Sequence, residues 1–416
     1  MEIAAHIHAT VNRAAQRQKK QAVDEGKTPV LAVGLSAIHK AHLAAALGLD
    51  TGRPVLVLTD DDNAANRFAA DLRGFSERDV VQLPSRELVM ADVVGVSRGY
   101  EQRRLAALDE LTEAHFAVAS VQAAAQRTMP PEALKAAIVS LATGETAPLD
   151  ELAQSLTRAG YERCVQVEGT GQFSIRGGIL DVFPPQAEHP YRVEFWDDEI
   201  DSISTFDVGS QRRLEQCECL RCLPCMESIP ALAKGGAAGL AKAVLALTST
   251  RRKKQHADLQ ANLERDAERL RETGSLPAAD KYMPLIYPEM ATAFDYLPEN
   301  AIVIIEDTPR LRDAVRDFHA RVADDVTALL ERGEMPPNLG EYALDFVGVC
   351  SMKRQILRLD SFLNNVAELT PQHLENFIAN QMNAYGGNLD MASADIRSYT
   401  EQGRAVAVVW GSELRC

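Results

Sequence analysis

The sequence is short of positive charge and of long apolar runs. Lys and Arg number 44 against 59 Asp and Glu, which gives a formal net charge of −15. Tight sequence-independent binding to DNA rests on Lys and Arg neutralising phosphates, and the chain as a whole lacks that excess. Its one dense basic cluster, Arg251-Arg252-Lys253-Lys254, opens a charged helical pattern over Gln255 to Glu272, with Leu259, Leu263 and Leu270 at helical spacing. That pattern reads as a solvated helix face. No apolar run approaches the ~20 residues of a membrane span, and no signal peptide heads the chain, so no membrane partner and a cytoplasmic location are expected. A Ser/His/Asp order and a nucleophile elbow are both missing. His6, His8, His39 and His42 lack a carboxylate or cysteine at metal-ligand spacing.

At 416 residues, with 46% hydrophobic and 25% charged side chains, the chain is long enough for two to four domains with proper cores. Four of its seven cysteines, Cys217, Cys219, Cys222 and Cys225, fall close together. The spacing C-x2-C-x2-C from Cys219 resembles the opening of a ferredoxin-type run. The fourth position of such a run, just before proline, holds Ile229 instead. Cys164, Cys217 and Cys219 fit strand positions that fill small core sites. The spacing leaves a zinc or iron–sulfur site at Cys217, Cys219, Cys222 and Cys225 open as the alternative, and in a cytosolic chain no disulfide is expected.

From Pro29 the pattern is α/β. Val30 to Val33, Pro54 to Thr59, Val80 to Leu83 and Ala117 to Val121 read as buried strands, with helices over Ala37 to Leu47, Asp62 to Phe75 and about Arg98 to Leu111. This predicts a doubly wound parallel sheet. The first strand-to-helix turn, Gly34-Leu35-Ser36-Ala37-Ile38-His39-Lys40-Ala41, sits where a nucleotide-binding P-loop sits. Gly34 and Lys40 match that motif. His39 replaces the glycine that lets the backbone wrap phosphates, and Ala41 replaces the hydroxyl that binds Mg²⁺, so no ATP hydrolysis is expected. A second strand, Ile302 to Ile305, is followed by Glu306-Asp307, an acidic pair in the reverse of the order a motor uses. The same residues fit a helix start at Asp307-Thr308-Pro309, and that reading is preferred.

Between these halves, Val165 to Glu215 alternates apolar and polar residues in short runs broken by turn residues. Phe173 to Arg176 is expected to pair with Ile179 to Phe183 across Gly177-Gly178, where a two-residue hairpin needs positive φ. Tyr191 to Trp196 follows, and Asp197-Asp198 turn the chain into Ile200 to Val208. Alternation puts Val193 and Phe195 on one face and Arg192, Glu194 and Trp196 on the other. A Trp among charges fits a protein-docking surface, and it fits equally a surface ion-pair ladder with a Trp at its rim.

The run G-x-F-x-x-R-G-G-I-L-D-x-F-P-P, then E-H-P-Y-R-V-E-F, D-D-E-I-D-S-I, F-D-V and S-Q-R, closely resembles the signature of the UvrB-homology module. Two kinds of bacterial DNA-repair protein carry that module: the excision-nuclease subunit UvrB and the transcription-repair-coupling factors. UvrB keeps an intact P-loop and an aromatic-rich hairpin that threads DNA, whereas Leu83 to Arg104 here holds Tyr100 as its only aromatic residue. The chain therefore resembles the degenerate copy at the amino terminus of the coupling factors.

That resemblance implies a degenerate helicase-like (RecA-like) parallel-sheet α/β domain, split by an inserted small antiparallel α+β domain, plus the start of a third α/β domain. The expected divisions are 1–144 and 235–358 for the split domain, 145–234 for the insert, 359–378 for a helical connector and 379–416 for the beginning of the third. The chain is expected to end inside that third domain, with a helix over Met391 to Gln402 and a strand over Ala405 to Trp410. The family resemblance carries no metal at the four clustered cysteines, so none is expected there. The implied function is a non-catalytic adaptor without cofactor, which recruits UvrA to stalled RNA polymerase in nucleotide excision repair and takes part in autoinhibition of the longer protein. ATP, Mg²⁺, DNA and RNA polymerase would engage other parts of that protein. By position within the motif, Arg176, Arg192, Glu194 and Trp196 would meet UvrA, with Phe195 supporting them from the core side. The alternative is a nucleotide-binding, UvrB-type DNA-binding protein.

Overall fold

A computed structural model describes residues 28–91, 98–247, 257–337, 339–352, 354–377, 385–404 and 406. The amino-terminal segment Met1 to Lys20, the basic cluster Arg251 to Lys254 and, but for Val406, the closing strand expected over Ala405 to Trp410 lie outside them.

The apolar runs that alternate with helical patterns become parallel strands, because a strand covered on both faces has no polar side to show. They are β1 (Val30–Val33), β2 (Val55–Thr59), β3 (Val80–Leu83) and β4 (Phe116–Ser120), connected by the helices Ala37–Thr51, Asp62–Ser76 and Gly99–Leu111. The second of these helices starts where the Asp61 carboxylate accepts a 2.6 Å hydrogen bond from the Ala64 amide. Its buried stripe is Ala65, Phe68, Ala69, Leu72 and Phe75.

The chain then leaves this sheet through β5 (Val139–Ala142) and the helix Leu149–Arg158. It builds β6 (Glu162–Arg163), β7 (Gln172–Arg176), β8 (Ile179–Val182), β9 (Tyr191–Trp196), β10 (Glu199–Phe206) and β11 (Arg213–Cys217), and returns along β12 (Cys219–Cys222). β12 pairs antiparallel with β5, so the way in and the way out form one stem. The other six strands form a sheet in the order β11-β10-β9-β8-β7-β6, antiparallel except between β6 and β7. Its inner face, with Phe173, Leu180, Val193, Ile200 and Ile203, packs against Leu152 and Leu156 of the helix. Gly177 takes positive φ (59°), as a tight hairpin requires. Gly178 does not, against expectation, and serves a different need: a Cβ there would lie 3.1 Å from the Phe195 carbonyl oxygen of β9.

The first sheet resumes with β13 (Ile302–Glu306), the helix Thr308–Glu331, β14 (Gln355–Asp360) and β15 (His373–Asn376). Its order is β15-β1-β14-β13-β2-β4-β3, and every pairing is parallel. Val55, Val57, Ile302 and Ile304 point into a core closed by the helices Ala37–Thr51 and Asp62–Ser76. Leu56, Leu58, Val303 and Ile305 point the opposite way, into a core shared with the helices Gly99–Leu111 and Thr308–Glu331 and with Gly236–Ala246 and Ala257–Thr273. The sheet therefore has helices on both faces and is interrupted by a small antiparallel unit, as the sequence pattern predicts. One expectation is corrected. Over its described residues, 359–377, the expected connector holds no α-helix, since residues 373–376 form the edge strand beside β1. Pairing with β1 decides its conformation, and no local periodicity announces that. Beyond it lies a helix, Leu389–Glu401.

Candidate protein-docking face

The outer face of the inserted sheet carries the polar half of each alternating strand. Register sets Ser174, Asp181, Arg192 and Ser204 side by side across four strands. The next row is Arg176, Ile179, Glu194 and Ser202. Trp196 closes β9 opposite Glu199, 81% exposed. Phe195 points the other way and packs half-buried against the insert's core.

Electrostatics divide the two arginines that sequence reasoning treated alike. Arg192 lies along Asp181, with Nε 2.7 Å from Oδ1 and Nη2 2.9 Å from Oδ2. Its guanidinium stacks 4.5 Å above the Phe206 ring and donates to the Gln211 side-chain oxygen at 3.2 Å and to its carbonyl at 3.4 Å. The hydrogen bond to Asp181, followed by burial acting in the opposite sense, leaves its pKa above the usual arginine value. Only 15% of this side chain is exposed. Arg176 also reaches Asp181, through Nη2 at 2.7 Å from Oδ2, but 49% of its side chain stays open to solvent. Glu194 pairs with Arg213 and accepts from Ser202 Oγ at 3.2 Å. Chiefly the Arg213 hydrogen bond holds the Glu194 carboxyl below its usual range.

Asp181 escaped the sequence reading. Its signal was present, as the one charged residue of the strand Ile179 to Val182, set on the outer face directly opposite Arg192. Arg213 escaped as well, because its contact with Glu194 depends on how β11 follows β10.

The first strand-to-helix turn presents the opposite picture. Only Gly34, Leu35 and Ser36 separate β1 from the following helix, so His39, Lys40 and Ala41 are helical residues rather than parts of a loop. Gly34 has φ of 81°, and a Cβ there would lie 2.1 Å from the carbonyl oxygen of Phe377. The Phe377 amide donates to Val33 at 2.9 Å, so the end of the edge strand lies directly in front of the glycine. Buried Lys40 places Nζ 3.4 Å from Glu306 Oε1. Burial pushes the Glu306 carboxyl up, and Lys40 opposes that shift. Asp307 stands at the start of the next helix in a left-handed conformation, but its side chain does not cap it. The Thr308 amide instead donates to Asp360 Oδ1 at 2.7 Å, and Asp307 accepts from Ser361 Oγ at 3.0 Å. Asp360 is in turn held at 2.6 Å by the fully buried Arg358.

Three of the four clustered cysteines pack with the insert's core. Cys222 and Cys225 are buried in or beside the insert's core, and burial pushes the Cys222 thiol up to about 12 and that of Cys225 well above its usual value. Cys217 packs half-buried against the same core. Cys219, expected to fill a core site, is exposed, because it takes an outward position of β12. Among the described residues no group of three or more His, Cys, Asp or Glu side chains is placed to hold a metal ion.

A buried charge network whose members lie far apart in the sequence ties the exit of the insert to the α/β body. Arg86 lies 2.8 Å from Glu227 and 2.6 Å from Asp280, Ser228 Oγ donates to Asp280 at 2.6 Å, and Thr128 Oγ1 donates to Glu227 at 2.6 Å. Burial opposes ionisation of Asp280, but the Arg86 guanidinium outweighs it and leaves the pKa below the usual value. Arg221 of β12 adds an outer clamp by gripping Asp109 of the helix Gly99–Leu111.

The family model described as the UvrB interaction domain matches residues 139–227, which spans all of β5 to β12. The transcription-repair-coupling factor of Bacillus subtilis is 30% identical over 94% of this chain and 34% of its own length. Those of Haemophilus influenzae and Escherichia coli are 28% and 29% identical over 69% and 67% of this chain, and 25% and 24% of their own lengths. The chain thus spans about a third or less of these relatives. No helix among the described residues is long and apolar enough to cross a membrane. With a UvrB interaction domain set into a parallel-sheet body, the chain belongs with the transcription-repair-coupling factors and corresponds to their amino-terminal UvrB-homology module.

Proposed function

We propose that the chain is a non-catalytic adaptor that recruits UvrA through the outer face of β7, β8 and β9. The observation that carries this reading is Trp196, a large aromatic left 81% exposed on the same outer face as a half-exposed Arg176, a face otherwise ordered by ion pairs. Trp and Arg are the residues that most often supply the energetic centre of an interface. A surface ladder alone gives no reason for the Trp, whose indole gains nothing from solvent. In the longer protein this face would deliver UvrA to RNA polymerase stalled on damaged DNA. Held against another part of that protein, it would be autoinhibited. We place this activity in the cytoplasm, with RNA polymerase, DNA, ATP and Mg²⁺ handled by segments outside this chain.

The short first turn supports a chain that neither binds nor turns over ATP. Its lysine is committed to Glu306, and Phe377 stands where phosphate oxygens would approach the backbone. The test is a titration of the chain against UvrA beside the double variant Arg176→Ala/Arg192→Ala, with ATP turnover assayed on the same samples. Binding lost in the variant, with no turnover in either, is expected. Full affinity in the variant, or turnover by the chain alone, would overturn the reading.

A further inference from the structure

Two arginines of this face meet on one carboxylate that solvent cannot reach. Asp181 is 1% exposed and accepts three N–H donors, two from Arg192 and one from Arg176. Arg192 is surrounded: Asp181 on one edge, Gln211 on another and the Phe206 ring beneath it. Arg176 is held at one nitrogen only, and the rest of its guanidinium faces outward. A buried carboxylate flanked by a single half-exposed guanidinium would be poorly compensated, and the second, shielded guanidinium supplies that compensation. An exposed arginine with no such anchor would sample many rotamers and lose that freedom on binding. A charge-assisted bond to a fixed carboxylate removes part of that loss beforehand.

We propose that Asp181 is the positioning residue of the docking face: it fixes the Arg176 guanidinium in the orientation that meets the partner. Arg192 acts behind it as the counter-charge that keeps Asp181 in place, and not as a contact. This assignment rests on the proposed recruitment of UvrA, but its first arm does not need a partner.

The first arm records the arginine side-chain Nε–H signals of the free chain by ¹H–¹⁵N spectroscopy. The Arg192 Nε–H, identified by its disappearance in Arg192→Lys, is expected to be resolved and slow to exchange with water. In Asp181→Asn it is expected to exchange fast. An Arg192 signal indifferent to Asp181→Asn would overturn the proposal whatever UvrA does. The second arm measures UvrA affinity for Asp181→Asn, Arg176→Ala and the double variant. Asp181→Asn alone is expected to weaken binding about tenfold, and to have no further effect once Arg176 is alanine, since it acts through that side chain. Equal losses in both backgrounds, or full affinity in Asp181→Asn, would overturn it. Arg192→Lys, which keeps the charge but loses the fork, is expected to fall between wild type and Asp181→Asn, and it serves if Asp181→Asn melts early. Should wild type fail to bind UvrA, recruitment is wrong, and the exchange arm still decides whether Asp181 fixes the arginines.

Discussion

The inserted sheet and the first strand-to-helix turn of the body both set basic side chains on carboxylates, yet one is open and the other shut. In the insert, Asp181 takes up one nitrogen of Arg176 and leaves the rest of that guanidinium outside, on the face where Trp196 stands 81% exposed. At the turn, Lys40 is buried on Glu306, and the carbonyl of Phe377 occupies the space in front of Gly34. Hydrogen-bonding capacity and apolar surface left exposed cost the free protein something, and a docking face is where that cost is recovered.

The sharpest break in this comparison comes from Arg358→Met. It strands Asp360, fully buried and capping the helix Thr308–Glu331, without its counter-charge. A loss of about 3–5 kcal/mol in unfolding free energy is expected, read by urea denaturation, with UvrA affinity of the remaining folded protein unchanged. Trp196→Ala should do the reverse. It removes a side chain that is 81% exposed in the free chain, so the melting temperature stays put while UvrA binding weakens by about 2 kcal/mol, roughly thirtyfold.

The unequal legibility of the two regions follows from where their partners lie in the sequence. Strands and helices of the body were readable because burial on both faces leaves uninterrupted apolar runs such as Ile302 to Ile305. Period-2 alternation likewise sorted Val193 and Phe195 from Arg192, Glu194 and Trp196. The edge strand at 373–376 was not readable, because its conformation comes from pairing with β1 more than 300 residues earlier. For the same reason the bond from Asp360 to the start of the helix at Thr308 was hidden behind the nearer candidate, Asp307. Asp181 was visible as a residue but not as a hub, since its role depends on register across three strands.

Gly34→Ala sharpens the closed half of the comparison. The new methyl would need a left-handed backbone and the space held by Phe377, so stability should fall by about 1–2 kcal/mol. Thermal unfolding reads this, and faster amide exchange at 373–377 would place the damage at the edge strand. The smallest effect is expected from Lys40→Met, and it depends on pH. Burial already raises the Glu306 pKa in the folded chain, and removing Lys40 raises it further. A carboxyl whose folded pKa is raised stabilises the fold fully below its unfolded value, about 4.3, and loses that contribution as pH rises through the folded value. The variant should therefore match wild type in acid and fall behind it as pH increases toward neutrality. Urea midpoints across that range would show the divergence, and parallel curves would argue that Glu306 does not sense Lys40.

The most direct test of the open face is a calorimetric titration of UvrA with the wild-type chain, Trp196→Ala and Arg176→Ala, each checked for an unchanged melting curve. The account predicts saturable binding by wild type and a loss of at least about tenfold in each variant. Wild-type affinity in both variants, with all three chains folded, would contradict the claim that this face is where the partner docks.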